Sequence, residues 1–107
     1  MYYVYIIRCS GGILYTGITT DIDRRFAQHS GDLPGGAKFT RSHHPEKIEA
    51  VWSTSDRSHA SKLEYGIKRL SRSRKLELIA DNSCLAKFFG EDADTIYQRE
   101  KNSHKEV

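Results

Sequence analysis

The segment YYVYIIRCSGGILYTGI, residues 2–18, decides the fold of this chain. Its first half, residues 2–9, is rich in aromatic and β-branched residues and predicts a strand. Residues 10–12, Ser-Gly-Gly, favour a turn, and residues 13–18 predict a strand that returns beside the first. Two strands joined by so short a connection pair antiparallel, so we expect a β-hairpin.

The length of the connection decides which hairpin side chains share a face of the sheet, because successive side chains of a strand point to opposite faces. An odd number of connecting residues, such as 10–12, gathers four residues on one face: Tyr5, Ile7, Tyr15 and Gly17. An even number would separate the two tyrosines. Gly17 has no side chain and would leave room beside Tyr15 for another group. Taken alone, the tyrosines could be core aromatics with surface hydroxyls.

Helices and one further strand are predicted beyond the hairpin. A helix begins after Thr20 or Asp21, either of which can cap it, and ends near Ser30 because Gly31 follows. A long loop rich in Gly and Pro, residues 31–46, comes next. The remaining elements are a strand at 47–55, a helix capped by Asp56 that extends to about Leu70, and a helix at 74–80. This order, β-β-α-β-α-α, predicts an α+β fold with a three-stranded antiparallel sheet flanked by helices.

The 107 residues suffice for one small domain, and their net charge of +3 is unevenly distributed. Residues 1–80 hold 13 Lys and Arg against 8 Asp and Glu, whereas residues 81–107 hold 4 against 6. A basic body suits a polyanionic partner such as nucleic acid. The longest apolar run, YYVYII, is too short to cross a membrane, and no signal peptide is recognisable. We therefore expect a cytoplasmic protein with no membrane association.

The first predicted helix places two ionisable residues among its core-facing positions. Ile22 and Phe26 define its apolar stripe, and the same stripe includes Arg25 and His29. A charged residue in a buried stripe is costly unless it has a partner or a function. Taken singly, Arg25 could extend from the edge of the stripe into solvent. His29 could interact at the surface with the helix dipole.

The second long helix repeats this anomaly. Its apolar stripe consists of Ala60, Leu63, Ile67 and Leu70. Glu64 lies within that stripe. An i,i+4 pair with Lys68 would account for Glu64 alone. Two phenols, a guanidinium, an imidazole and a carboxylate are less easily explained one by one, so we predict that they converge on one solvent-reachable site.

These residues carry a resemblance to a known family. YVY at 3–5 and YTG at 15–17, followed by Arg25, His29 and Glu64, resemble the dispersed motif of the GIY-YIG nuclease superfamily. The stretches TGITTDIDRRFAQH and LEYGIKRLSR resemble its small single-domain bacterial members. The resemblance implies a nuclease fold for most of the chain.

The resemblance extends over about residues 2–80. It implies a nuclease domain at 1–82 and a C-terminal extension at 83–107, which we expect to be partly flexible. Two departures from the family pattern stand out. Tyr3 occupies the position of the glycine in the family name, and residues 76–79 lack the asparagine that many catalytic members carry there.

The chemistry that the resemblance implies is hydrolysis of a phosphodiester bond with one divalent metal ion, Mg²⁺ or Mn²⁺. Glu64 would bind the ion, since a single carboxylate with waters and a substrate phosphate suits these metals. Arg25 would bind phosphate oxygens. Tyr15 would accept the proton of the attacking water with help from Tyr5 or His29. His29 is the alternative general base or a proton relay.

Two basic segments are candidates for nucleic-acid binding. One lies in the long loop and the other follows the second long helix; their residues are Lys38, Phe39, Arg41, Lys68, Arg69, Arg72, Arg74 and Lys75. The positive charges would contact phosphates without reading sequence. Phe39 would stack on an unpaired base. A solvated charge run and a phenylalanine packed under its loop are the alternatives.

The function predicted from these observations is that of a metal-dependent endonuclease. It would act on DNA in preference to RNA, without sequence specificity or directed by nucleic-acid structure, as a monomer or weak dimer. One alternative is a non-catalytic nucleic-acid-binding module that keeps the fold. Another is a structural domain whose buried charges are simply ion pairs.

Overall fold

The computed structural model describes residues 1–31, 33–35 and 43–101. Three predicted nucleic-acid-binding residues lie outside the described residues: Lys38, Phe39 and Arg41. The elements in chain order are β1 (Tyr2–Cys9), a short 3-10 turn (Ser10–Gly12), β2 (Leu14–Thr19), α1 (Ile22–Ser30), β3 (Pro45–Thr54), α2 (Arg57–Arg69), α3 (Arg72–Ala80), α4 (Cys84–Phe89), α5 (Ala93–Ile96) and β4 (Gln98–Arg99). The predicted α+β fold, an antiparallel sheet flanked by helices, is confirmed.

The hairpin connection consists of residues 10–12. Both glycines in it have positive φ angles, 80° and 76°, which glycine adopts without steric cost. The Cys9 N–H donates to the Ile13 carbonyl at 2.7 Å and closes the turn. Arg72, from the start of α3, donates to the Gly12 carbonyl at 2.6 Å and ties the turn to the helical layer.

The odd length of this connection sets the register between β1 and β2. Tyr5 lies opposite Gly17, and Ile7 lies opposite Tyr15. These four residues therefore share one face of the sheet, which we call the site face. The register therefore confirms the prediction that an odd connection places Tyr5 and Tyr15 on the same face of the sheet.

The sheet has the strand order β2-β1-β3-β4, and all neighbouring strands are antiparallel. A β-bulge shifts the pairing of β1 with β3 between Ile6 and Ile7. Because of this shift, Ile48 and Val51 both pack in the cluster on the site face. The bulge explains why the sequence of β3 does not alternate strictly between apolar and polar residues.

Two hydrophobic clusters cover the two faces of the sheet. The cluster on the site face comprises Tyr5, Ile7, Cys9, Ile22, Ile48 and Val51, with Tyr3, Tyr15 and Phe26 packed against it. The larger cluster on the opposite face joins Val4, Ile6 and Trp52 to α2 and to the segments that follow it. Helix α1 packs on the site face through Ile22 and Phe26, whereas the main core lies on the other side.

The prediction of three strands is wrong, because the described residues form four. Residues 98–99 pair with β3 as the short strand β4. Arg99 holds this strand in place: its guanidinium lies 5.1 Å from the Trp52 ring. It also donates to the carbonyls of Leu78, at 3.4 Å, and Ile79, at 3.0 Å, near the end of α3. A two-residue strand has no apolar alternation by which the sequence could reveal it.

The segment after α3 also forms two short helices that were not predicted, α4 and α5. Leu85 and Ala93 from these helices are buried in the main core. The division into residues 1–82 and 83–107 stays a prediction. Within the described part of the chain, no helix is both long enough and apolar enough to cross a bilayer.

Candidate active site

Tyr5 lies at the centre of the candidate active site. Its side chain is only 1% exposed. Its hydroxyl forms a hydrogen bond of 2.9 Å with Nε2 of His29. The phenol ring lies over Gly17, so close that a Cβ added there would clash with the hydroxyl oxygen and the ring of Tyr5. The space that we expected Gly17 to leave beside Tyr15 is therefore filled by Tyr5 from the neighbouring strand.

His29 reaches this position from the last turn of α1. The helix begins at the N-cap Asp21, whose carboxylate accepts the Arg24 N–H at 3.1 Å. It ends at Gly31, which has a left-handed φ of 88°. His29 is 3% exposed, so the surface location considered above is wrong. Its ring lies edge-on to Tyr15, with 5.3 Å between ring centroids.

The buried Tyr5–His29 pair stays uncharged around neutral pH. Burial raises the pKa of Tyr5 to about 12, and the opposing positive charge of Arg25 does not reverse that rise. Burial, with a smaller contribution from the positive charge of Arg25, lowers the pKa of His29 to about 4. A neutral imidazole keeps one nitrogen free of a proton, so it can accept a hydrogen bond or a proton.

Arg25 is half-buried beside this pair, and its orientation is set by two hydrogen bonds. Its Nη1 donates to Oε1 of Gln28 at 2.9 Å and to the carbonyl of Gly35 at 2.8 Å. Its charge influences the pKa values of both Tyr5 and His29. Arg25 therefore does not simply extend into solvent.

Glu64 lies on α2, whose apolar stripe packs in the main core on the other face of the sheet. Its side chain is 23% exposed and lies 3.3 Å from Nζ of Lys68. The i,i+4 pair that would account for Glu64 alone is thus present. The negative charge of Glu64 nevertheless also acts on Tyr5 and helps to raise its pKa. The carboxylate is therefore paired with a surface lysine, and its charge acts on the pKa of the buried phenol.

The donor set around Glu64 fits a metal ion that keeps most of its water. Among the described residues, no three His, Cys, Asp or Glu side chains lie close enough together to hold an ion by themselves. A partly exposed single carboxylate leaves room for waters and a substrate phosphate. Mg²⁺ accepts such a shell because it dehydrates reluctantly.

The predicted basic residues that the structure describes do not form one uniform cluster. Lys68 pairs with Glu64, and Arg69 donates to the Tyr65 hydroxyl at 2.9 Å. Arg72 holds the hairpin turn, as described above. Arg74 lies 5.7 Å from the ring of Phe88, and Lys75 is half-buried. Lys68, Arg69, Arg72 and Arg74 are exposed and so can reach a ligand.

Sequence reasoning missed the residues that orient the site. Gln28 binds Arg25 across one helical turn, and the i,i+3 spacing of a long polar residue from an arginine was the available signal.

Asn82 accepts a hydrogen bond of 2.8 Å from the indole N–H of Trp52. This asparagine therefore has a structural role in the core.

The fold and the cluster define the class of this protein. A family model of the GIY-YIG catalytic domain matches residues 1–77, and the chain belongs to the GIY-YIG family. The resemblance inferred from the motifs is thereby confirmed, and the protein has the nuclease fold of that family. The matched range contains Tyr5, Tyr15, Arg25, His29 and Glu64.

Individual relatives are proteins named UPF0213. The chain is 47% identical over 78 residues to one from Desulfotalea psychrophila, covering 73% of this chain and 70% of the relative. It is 49% identical over 82 residues to one from Vibrio cholerae, covering 74% and 77%. The solution NMR structure of a UPF0213 protein from Bacillus halodurans has 44% identity and a TM-score of 0.49, covering 75% of this chain and 84% of that one. These names specify no reaction.

Proposed function

We propose that this protein is a divalent-metal-dependent endonuclease that hydrolyses phosphodiester bonds of DNA. It would act without sequence specificity or be directed by DNA structure, as a monomer or weak dimer. The observation that carries the proposal is the environment of Tyr5. Its phenol forms a hydrogen bond of 2.9 Å with His29, whose ring lies edge-on to Tyr15 at 5.3 Å between centroids. The charges of Arg25 and Glu64 both act on the pKa of Tyr5, which supports a common site for these side chains.

The attacking water needs a group that takes its proton. We assign this role to Tyr15, because Tyr15 is half-buried and water can reach it, whereas Tyr5 and His29 are almost completely buried. The water oxygen forms a bond to phosphorus, the bond from phosphorus to the leaving sugar oxygen breaks, and that oxygen takes up a proton from solvent. His29, neutral and in edge contact with Tyr15, is the next proton acceptor and the alternative base.

Arg25 is suited to the non-bridging oxygens of the phosphate. Gln28 and Gly35 both bind its Nη1. A guanidinium has further N–H donors on Nη2 and Nε, in a planar arrangement that matches two phosphate oxygens. Because the side chain is already oriented, little conformational freedom would be lost on binding.

Glu64 would hold Mg²⁺ or Mn²⁺ together with water and the substrate phosphate. When bound, the ion supplies positive charge at the phosphate and at the leaving oxygen. The ion pair at 3.3 Å between Glu64 and Lys68 has a consequence here. Without metal, Lys68 neutralises the carboxylate; with metal, Lys68 would be released to contact a neighbouring phosphate.

The basic residues near α2 and α3 would bind the DNA backbone, namely Lys68, Arg69, Arg72, Arg74 and Lys75. Lys38 and Arg41 would add phosphate contacts, and Phe39 would stack on an unpaired base. Phosphate contacts release condensed counterions, so affinity should fall steeply as salt increases. An affinity that does not change with salt would contradict this role.

The test of the proposed function is cleavage of single-stranded, duplex and branched DNA with Mg²⁺, with Mn²⁺ and with EDTA. Glu64→Gln should lower the metal-dependent rate at least about a hundredfold, because it removes the charged ligand. Glu77→Gln on α3 is the matched control, since it removes an exposed carboxylate elsewhere and should cleave like wild type. Equal cleavage by wild type and Glu64→Gln would refute the proposal.

A non-catalytic nucleic-acid-binding module is the second candidate function. The observation that favours it is that the proposed metal ligand already has an internal partner, since Glu64 is paired with Lys68. Residues 76–79 also lack the asparagine that many catalytic members carry there. In the same assay, salt-sensitive binding without metal-dependent products would select this candidate.

A further inference from the structure

Positive side chains predominate over negative ones on the solvent-facing surface of α2. Its exposed residues are Arg57, Ser58, Ser61, Lys62, Tyr65, Lys68 and Arg69. The one acidic residue of the helix, Glu64, is half-buried and acts on the candidate active site instead. A basic surface beside the proposed metal ligand suits a polyanion that passes from that surface into the site.

Tyr65 differs from every other exposed residue of this surface. It is 62% exposed, whereas most aromatic rings in a domain this small contribute to the core. Its ring is not left to rotate freely. Arg69, one turn later, donates from Nη1 to the Tyr65 hydroxyl at 2.9 Å, and the guanidinium carbon lies 5.4 Å from the ring centroid.

Two i,i+4 pairs therefore run side by side along α2. The pair of Glu64 and Lys68 belongs to the candidate active site. The pair of Tyr65 and Arg69 is displaced from it by one residue, or about 100° around the helix axis. A nucleotide next to the one bound at Glu64 would reach the second pair.

We propose that Tyr65, held by Arg69, stacks on an unpaired base next to the bond that is cut, and so selects DNA with unpaired nucleotides. This inference rests on the proposed nuclease function. An aromatic ring accepts any base, because every base has a π-face, and an adjacent arginine adds a cation–π contribution. A paired base within a duplex is stacked on both sides and offers no free face to Tyr65.

The test measures binding by fluorescence anisotropy in EDTA, so that cleavage plays no part. The full-length protein is titrated with a single-stranded oligonucleotide, the same strand with abasic positions, and the duplex. Tyr65→Ala should weaken single-strand binding about tenfold to a hundredfold and duplex binding less than about threefold. Tyr65→Phe keeps the ring and should stay within about threefold of wild type. Lys62→Ala, the control for charge on the same surface, should weaken both forms equally.

Two results would overturn the inference. One is equal affinity of the wild type for the intact and the abasic strand. The other is an equal effect of Tyr65→Ala on single-stranded and duplex DNA. Failure of the nuclease proposal has a different signature, because no metal-dependent products would form while Tyr65-dependent binding persisted. Since Tyr65 is exposed, the variants should unfold at the wild-type temperature, which fluorescence of Trp52 would verify.

Discussion

Replacing His29 with glutamine should make the stability of the protein less dependent on pH. In the folded protein the pKa of His29 is about 4, below its ordinary value of 6.5. Between these two values the unfolded chain binds a proton that the folded chain does not bind. Unfolding is therefore favoured as the pH falls through 6.5 towards 4. Glutamine keeps a hydrogen-bonding side chain near Tyr5 but does not titrate in this range.

The size of the effect follows from the two pKa values. A pKa lowered from 6.5 to about 4 corresponds to at most about 3 kcal/mol of stability, present above the unfolded pKa and lost by about pH 4. Between pH 7 and pH 5 the wild type should lose about 2 kcal/mol through His29 alone. Other groups titrate in both proteins, so the difference between wild type and variant isolates this contribution.

Urea unfolding measured at pH 7 and pH 5 is the assay, and the protein carries its own probe. Its single tryptophan, Trp52, is fully buried. The free energy of unfolding should fall more for the wild type than for His29→Gln, with similar urea dependence in both. Equal losses for the two proteins would show that His29 protonates normally in the folded state. That result would refute its burial against Tyr5 and Arg25.

Three further predictions concern the groups that shape the site and its support. Arg25→Lys keeps the charge but loses the planar donors, so DNA cleavage should fall at least about tenfold; unchanged cleavage would exclude Arg25 from phosphate binding. Arg99→Ala should lower the free energy of unfolding by about 2 kcal/mol, as measured by urea unfolding, because it removes the stacking on Trp52 and the hydrogen bonds to α3. A loss below about 0.5 kcal/mol would contradict this role of Arg99. Asp21→Ala should destabilise α1 by about 1 kcal/mol, whereas Asp21→Ser should restore most of the cap, as thermal unfolding would measure.

The site face could be predicted from the sequence because it depends on local rules. Strand side chains alternate with a period of two, and an odd connection then brings Tyr5, Ile7, Tyr15 and Gly17 together. The family membership followed from the same spacing. These rules do not show which side chain lies over Gly17. That depends on the rotamer of Tyr5, whose ring leans across to the neighbouring strand.

The rest of the site depends on contacts between distant segments. The sequence allowed His29 to lie at the surface or in the core, and packing against Tyr5 decides between them. The strand β4 was missed because two residues carry no periodicity, and it is held by Arg99 through contacts with Trp52 and α3. Short helices such as α4 and α5 are equally hard to recognise, because each spans fewer than two turns.

Tyr5 and Gly17, one from each half of the family motif, share a limited volume. A larger residue at one of these positions therefore requires a smaller residue at the other. Gly17 has no positive φ angle, so space rather than backbone strain excludes a side chain there. A methyl group at 17 would be accommodated only if the residue at 5 were shortened. In a library that randomises both codons, surviving clones should therefore show compensation: aromatic with glycine, or small aliphatic with alanine. Correlated replacement at positions 5 and 17 would show that the aromatic ring of Tyr5 requires a residue without a side chain at position 17.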